Sequence, residues 1–145
     1  MNQNKIDIEI TRFIKEHHVM TLATLNGDLP YCANLFYAYS SELQAFVFTS
    51  SSSTLHGQNM AANPKVAASI VLETKVVGKV RGLQICGESV LAENDDLERA
   101  KKSYLKRFPY AVFADLELWL LRPNFLKLTD NRMGFGKKIV WKDGE

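Results

Sequence analysis

Ser50, Ser51, Ser52, Ser53, Thr54 and His56 crowd into one short stretch, just ahead of residues with helical apolar spacing. Hydroxyls that open a helix bring side-chain donors, backbone N–H groups the helix has not used, and the positive end of its dipole. That combination suits an anion such as a phosphate. The same residues suit a plainer role, with Ser53 as a helix cap and the other serines filling a loop.

Other polar residues offer less. Gln84 is an uncharged polar residue in an apolar strand beside Gly87, able to bond a ligand edge, a core partner or solvent. Arg81 heads the same strand and would face an anion or solvent. Lys137 and Lys138 follow Gly134-Phe135-Gly136 and make either a solvated basic tail or an anion contact, and Trp141 either packs or stacks on a ring. His17 and His18 are adjacent, so on a strand they would point to opposite faces. A zinc site built on them or His56 would need carboxylates or cysteines at a spacing the sequence lacks, so no metal is expected. Asp95-Asp96 and Asp115/Glu117 fit helix-start and surface roles better than acid–base work. There is no Gly-x-Ser-x-Gly, Gly-x-Gly-x-x-Gly or Walker loop.

The chain that must position these groups has 145 residues, 46% hydrophobic and 23% charged, which is enough for one domain, 1–145, with its own core. A net charge of +2 is too small to announce a nucleic-acid binder. Met1 to Lys5 carry no signal-like apolar run, and no stretch approaches the ~20 apolar residues of a membrane span. Cys32 and Cys86 lie far apart in apolar strand-like segments, without a Cys-x-x-Cys pair. These features describe a reduced cytoplasmic protein with two structural thiols.

Ile6, Ile10, Phe13 and Ile14 predict a first amphipathic helix. Strands are predicted at Val19 to Leu25, Pro30 to Tyr39 and Leu43 to Thr49, the first two joined at Asn26-Gly27. A short helix from Thr54 closes at Asn63-Pro64, and Lys65 to Leu72 is a strand of small residues. Val80 to Ala92 reads as one long strand, with Gly82 and Gly87 marking bends or bulges. Asn94 would cap a second long helix that ends at Pro109, with Tyr110 to Ala114 as one further helical turn. Leu118 to Leu121 and Phe125 to Thr129 are strands bent at Pro123, and Lys138 to Trp141 is a last extended piece. Hairpins without βαβ alternation favour a mainly β fold with flanking helices.

The run Phe46-Val47-Phe48-Thr49, Ser53-Thr54-Leu55-His56 and Asn63-Pro64-Lys65-Val66-Ala67, followed by Gly82-Leu83-Gln84-Ile85-Cys86-Gly87-Glu88, resembles the FMN-binding split barrels related to pyridoxamine 5′-phosphate oxidase. Lys106-Arg107-Phe108-Pro109, Thr129-Asp130-Asn131 and Gly134-Phe135-Gly136-Lys137-Lys138 are similar to the small bacterial YhbP-like group. The resemblance implies a six- to seven-stranded antiparallel split β-barrel of Greek-key type, working as a homodimer. It implies FMN as cofactor, with the phosphate at a turn holding Thr49, Ser50, Ser53, Thr54 and His56. Gln84, Lys137, Lys138 and Trp141 are the further cofactor candidates, and Asn34 and Tyr37 lie near the expected flavin ring. Tyr31, Phe36, Tyr37, Tyr39, Phe46 and Phe48 crowd neighbouring strands, and those that point outward would meet a partner.

One departure stands out. No Lys or Arg occurs between Lys15 and Lys65, where FMN-binding members usually supply cations, and His56 takes the turn's basic position. A phosphate would forgo one or two charge-assisted bonds of roughly 1.5–3 kcal/mol each. The leading expectation is a flavin-dependent oxidoreductase acting on a small molecule, its catalytic residues unassigned. The alternative is a non-enzymatic binder of flavin, haem or another cofactor on the same barrel. A nucleic-acid binder built on Lys101-Lys102, Lys106-Arg107 and Lys137-Lys138 ranks last. Pyridoxamine phosphate oxidase activity itself is not expected, because the Arg-Leu-x-Pro ending has no match after Trp141.

Overall fold

Asp7 starts the first helix by accepting the Glu9 N–H at 2.8 Å on its carboxylate. In the computed structural model, which describes residues 4–144, that helix is α1 (Ile8–Glu16), and it buries Ile10, Phe13 and Ile14. Met1–Gln3 and Glu145, part of the leader and C-terminal readings above, lie outside the described residues. A hairpin follows, β1 (Val19–Asn26) and β2 (Leu29–Phe36), turning at Gly27, whose φ of 63° is the left-handed value glycine adopts freely. Next come β3 (Ala38–Ser40), β4 (Ala45–Thr49), α2 (Leu55–Ala62), β5 (Lys65–Leu72) and β6 (Arg81–Leu91). The chain finishes with α3 (Asn94–Arg107), β7 (Leu118–Asp130) and β8 (Lys138–Lys142).

All ladders are antiparallel, in the order β2-β1-β5-β6-β7-β4-β3, with β8 added to the C-terminal half of β7. Alternate residues of these strands turn to one core: Met20, Leu22, Phe46, Phe48, Ile70, Leu83, Ile85, Leu126 and Leu128, joined by Ile10, Phe13 and Ile14 of α1. β2 and β4 approach each other, but no ladder joins them, so the barrel stays split. α3 covers a different surface, the outer side of β3, β4 and the first half of β7. Ala100, Tyr104 and Phe108 pack there on Val47, Leu118 and Leu120. β4 is therefore buried on both faces.

Several expectations need correction. The segment from Pro30 to Tyr39 is not one strand but two, because Tyr37 turns fully inward between β2 and β3. Its hydroxyl donates to Ile14 O at 2.6 Å and its N–H to His18 O at 3.0 Å, and beyond it the chain leaves β1 to pair with β4. The two strands expected around Pro123 form one continuous β7. The bulge beside Gly87 is real, but its extra residue is Asn124 of β7: Cys86 faces Phe125 and Gly87 faces Pro123. Gly82 sits in regular register and marks no bulge. Asn94 does not cap α3 from outside. It is the first helical residue, at φ 56°, and Glu93 precedes it without a side-chain cap bond. His17 and His18 precede β1, and His17 closes α1, its Nδ1 2.8 Å from Phe13 O. Cys32 and Cys86 are exposed free thiols, because each falls on the outward phase of its strand.

Candidate functional site

The serine turn folds onto itself. Thr54, not Ser53, caps α2: its Oγ1 accepts the Gly57 N–H at 3.1 Å and its hydroxyl donates to Ser51 O at 2.7 Å. The Ser53 N–H goes to Ser51 Oγ at 3.1 Å and the Thr54 N–H to Ser51 O at 3.0 Å. The Ser52 N–H donates to a Glu117 carboxylate oxygen at 2.8 Å, which sets a negative charge against the turn. Ser50 is buried and shares a 2.7 Å hydrogen bond with His56 Nδ1, while its carbonyl accepts the Trp119 indole N–H at 3.2 Å. Burial lowers the His56 pKa below the ordinary histidine value, so the ring is neutral at pH 7. Gly57 is required here, since a Cβ would strike the Ser51 carbonyl. The turn's own carbonyl, hydroxyl and carboxylate acceptors thus take the N–H groups of Ser52, Ser53, Thr54 and Gly57.

A second region emerges from the register. On the uncovered side of the sheet, cross-strand neighbours run Cys32, Ala23, Ala67, Cys86, Phe125 through β2, β1, β5, β6 and β7. The row beside it runs Asn34, Thr21, Ser69, Gln84, Lys127. Small side chains in the middle of both rows leave a shallow trough of about 390 Å³, floored by Ala23 and Ala67 and edged by Gln84, Cys32, Cys86 and Phe125. Thr21 donates to Asn34 Oδ1 at 2.8 Å along one margin. A second depression of about 240 Å³ shares Ala23 and Ala67 with the trough and brings Lys65 to its far end. The trough is a surface for something flat. Among the expected site residues only Gln84 lines it.

Residues 6–128 match the family described as pyridoxamine 5′-phosphate oxidase. The chain belongs to that family. It is 38% identical over 133 residues to a UPF0306 protein of Photorhabdus laumondii, covering 92% of this chain and 93% of the relative. Among solved structures, a heme binding protein from Mycobacterium smegmatis superposes with a TM-score of 0.72 at 23% identity. The match covers 86% of this chain and 52% of that one, so this chain spans about half of its length. A FAD-binding protein from Mesorhizobium loti superposes with a TM-score of 0.66 at 20% identity, covering 83% of this chain and 90% of that one.

The other residues that the pyridoxamine 5′-phosphate oxidase resemblance implicated are scattered. Thr49 shares the phase of Ala45 and Val47 on β4 and is turned to the side that α3 covers. Lys137 is exposed, and Lys138 on β8 pairs with Thr129 of β7. Trp141 packs into this chain's own core and donates its indole N–H to Asn4 O at 3.2 Å, so it is not free to stack on a ring. Tyr37 is fully buried as well. Arg81 faces neither a free anion nor solvent. It is buried, with Nε 3.2 Å from Asp130, a terminal nitrogen 3.0 Å from Glu16, and its guanidinium over the Phe13 ring. Of the crowded aromatics Tyr31 and Phe36 are exposed, while Phe46 and Phe48 fill the core.

Sequence reasoning missed Glu117 as part of the serine turn and missed the trough itself. Glu117 lies 65 positions from Ser52, and only the β4–β7 ladder brings them together. The trough had one legible signal: Thr21, Ala23, Ala67, Ser69 and Cys86 are small residues at alternate positions of three strands.

Proposed function

We propose that this member of the family is a flavin-binding homodimer that holds FMN against the outer trough, and that it acts as an oxidoreductase on a small molecule. The carrying observation is the uncharged, small-residue trough across β1, β5 and β6, on a sheet face that no element among the described residues covers. Its floor of Ala23 and Ala67 lets a planar ring approach the backbone. The Gln84 amide and the Ser69 hydroxyl match the donors and acceptors on the edge of such a ring. The phosphate fits the serine turn poorly, because the Glu117 carboxylate faces it and internal acceptors hold the Ser52, Ser53 and Thr54 N–H groups. Lys65, at the end of the connected depression, is the cation placed to meet it.

A bound flavin would supply the electron or hydride transfer. Small, apolar, thiol and amide side chains line the trough, and the chain's part is to bind, orient and shield. A second copy would supply the other wall. β2 is largely exposed on both of its faces, with Leu29, Tyr31 and Phe36 uncovered, which is the state of a strand awaiting a partner. In a reducing cytoplasm Cys32 and Cys86 would remain thiols.

A second reading has its own observation. Cys32 and Cys86 edge the trough, and a thiolate is an axial ligand for haem iron. Both readings are tested by one experiment. The purified protein is mixed with excess FMN or haem, freed of unbound ligand, and examined by visible spectroscopy and sedimentation. A stoichiometric flavin band on a dimer, lost in Ser69→Trp, is the expected result. A haem band lost in Cys32→Ser/Cys86→Ser would favour the second reading. A colourless protein with both ligands would overturn both.

A further inference from the structure

α1, β3 and α3 border an open cleft of about 500 Å³ on the helix-covered side of the molecule, away from the trough. Four cationic residues line it: Lys15 at the end of α1, and Lys102, Lys106 and Arg107 on the last turns of α3. Helical spacing produces this grouping, because positions 102 and 106 stand one turn apart on one face. The hydroxyl-bearing residues Ser41, Ser103 and Tyr39 complete much of the wall.

The charge is not neutralised. Glu42 is the one acid in the lining, and Arg99 holds its carboxylate at 3.0 Å. Lys15, Lys102 and Lys106 make no ion pair among the described residues. Arg107 is fixed by neutral partners: it donates to Tyr37 O at 2.9 Å and Lys15 O at 2.6 Å, and its guanidinium lies over the Tyr37 ring. Its positive charge is therefore positioned yet unpaired. Convergent cations with no carboxylate of their own to answer them cost stability by mutual repulsion, and an anionic ligand relieves that cost.

We infer that this cleft is a binding site for a phosphorylated small molecule of about mononucleotide size. Lys102, Lys106 and Lys15 receive the phosphate, and Arg107 fixes the positive field behind them. The site is independent of the flavin reading, since it shares no residue with the trough or the serine turn.

The test is isothermal titration of the full chain with AMP, with uncharged adenosine as comparison, at two salt concentrations. AMP should bind saturably and more weakly in high salt, and adenosine should not bind. Lys102→Ala/Lys106→Ala alters only side chains outside the core and should weaken AMP binding at least about tenfold with the melting temperature unchanged. Lys79→Ala, outside the cleft lining, should leave binding as it is. The inference is overturned if AMP and adenosine bind alike, if AMP does not bind, or if the double variant binds as wild type does.

Discussion

β4 and β5 are strands of the same sheet with opposite surroundings. In β4, Phe46 and Phe48 enter the barrel while Ala45 and Val47 meet α3, and all four are buried. In β5, Val66, Ala68 and Ile70 are buried, but Ala67, Ser69 and Val71 face outward with no helix among the described residues over them. The difference lies in what the outward positions carry. Val47, Leu118 and Leu120 offer α3 an apolar bed, whereas Ala67, Ser69, Gln84 and Cys86 offer little area to bury. A helix gains stability from the first surface. The second is left for a ligand or a partner.

The contrast can be broken by truncation. Phe46→Ala removes a fully buried ring and should cost about 3–5 kcal/mol, whereas Val71→Ala should stay within about 0.5 kcal/mol. Urea unfolding at a concentration where the chain is monomeric measures both. Equal costs would mean that the outer face is covered within a single chain.

The Arg81–Asp130 joint tests the covered side through charge. Asp130→Ala would leave the buried Arg81 with only the half-exposed Glu16, at a cost of about 3 kcal/mol. The Arg132 hydrogen bond, with smaller help from Arg81, holds the Asp130 carboxyl below its ordinary value. A depressed carboxyl stabilises the fold above its unfolded pKa, and that contribution fades as pH falls through the folded one. Wild type should therefore lose stability on acidification below about pH 4, and Asp130→Ala should lose less over that window. Parallel acid titrations by circular dichroism would contradict this.

His56 carries a smaller pH effect. Its pKa is lowered by burial, so below the ordinary histidine value the unfolded chain takes the proton more readily. Stability should be full above about pH 6.5 and decline below it, by at most one proton's worth of slope. His18, also lowered by burial, adds in the same direction. His56→Gln should flatten the curve in part; an unchanged slope would assign the whole effect elsewhere. The smallest effect is expected from Glu117→Gln, which keeps an acceptor for the Ser52 N–H but removes the charge. Stability should barely move. If Lys65 meets the flavin phosphate, FMN affinity should also stay level; a marked gain in affinity would return the phosphate to the serine turn.

Local pattern was enough for most of the elements. The strand at Lys65–Leu72, the helix after Thr54 and the Gly27 hairpin follow from alternation, capping and turn chemistry within a few residues. The failures were non-local. Tyr37 breaks a strand because α1 supplies an acceptor at Ile14, and the bulge falls on Asn124 because β7 must pass Gly87 and carry Pro123.

The candidate site divides in the same way. Residue types alone made the Ser50–His56 turn a donor-rich loop and placed Gln84 beside a bulge. Only the fold brought Glu117 and Trp119 across β4 to engage that turn, and only the ladder of five strands aligned small residues into a trough. Periodicity is written within a strand, where each residue's side is set by its neighbours one bond away. What a loop's donors meet is decided by strands far off in sequence, through pairings that no single segment encodes.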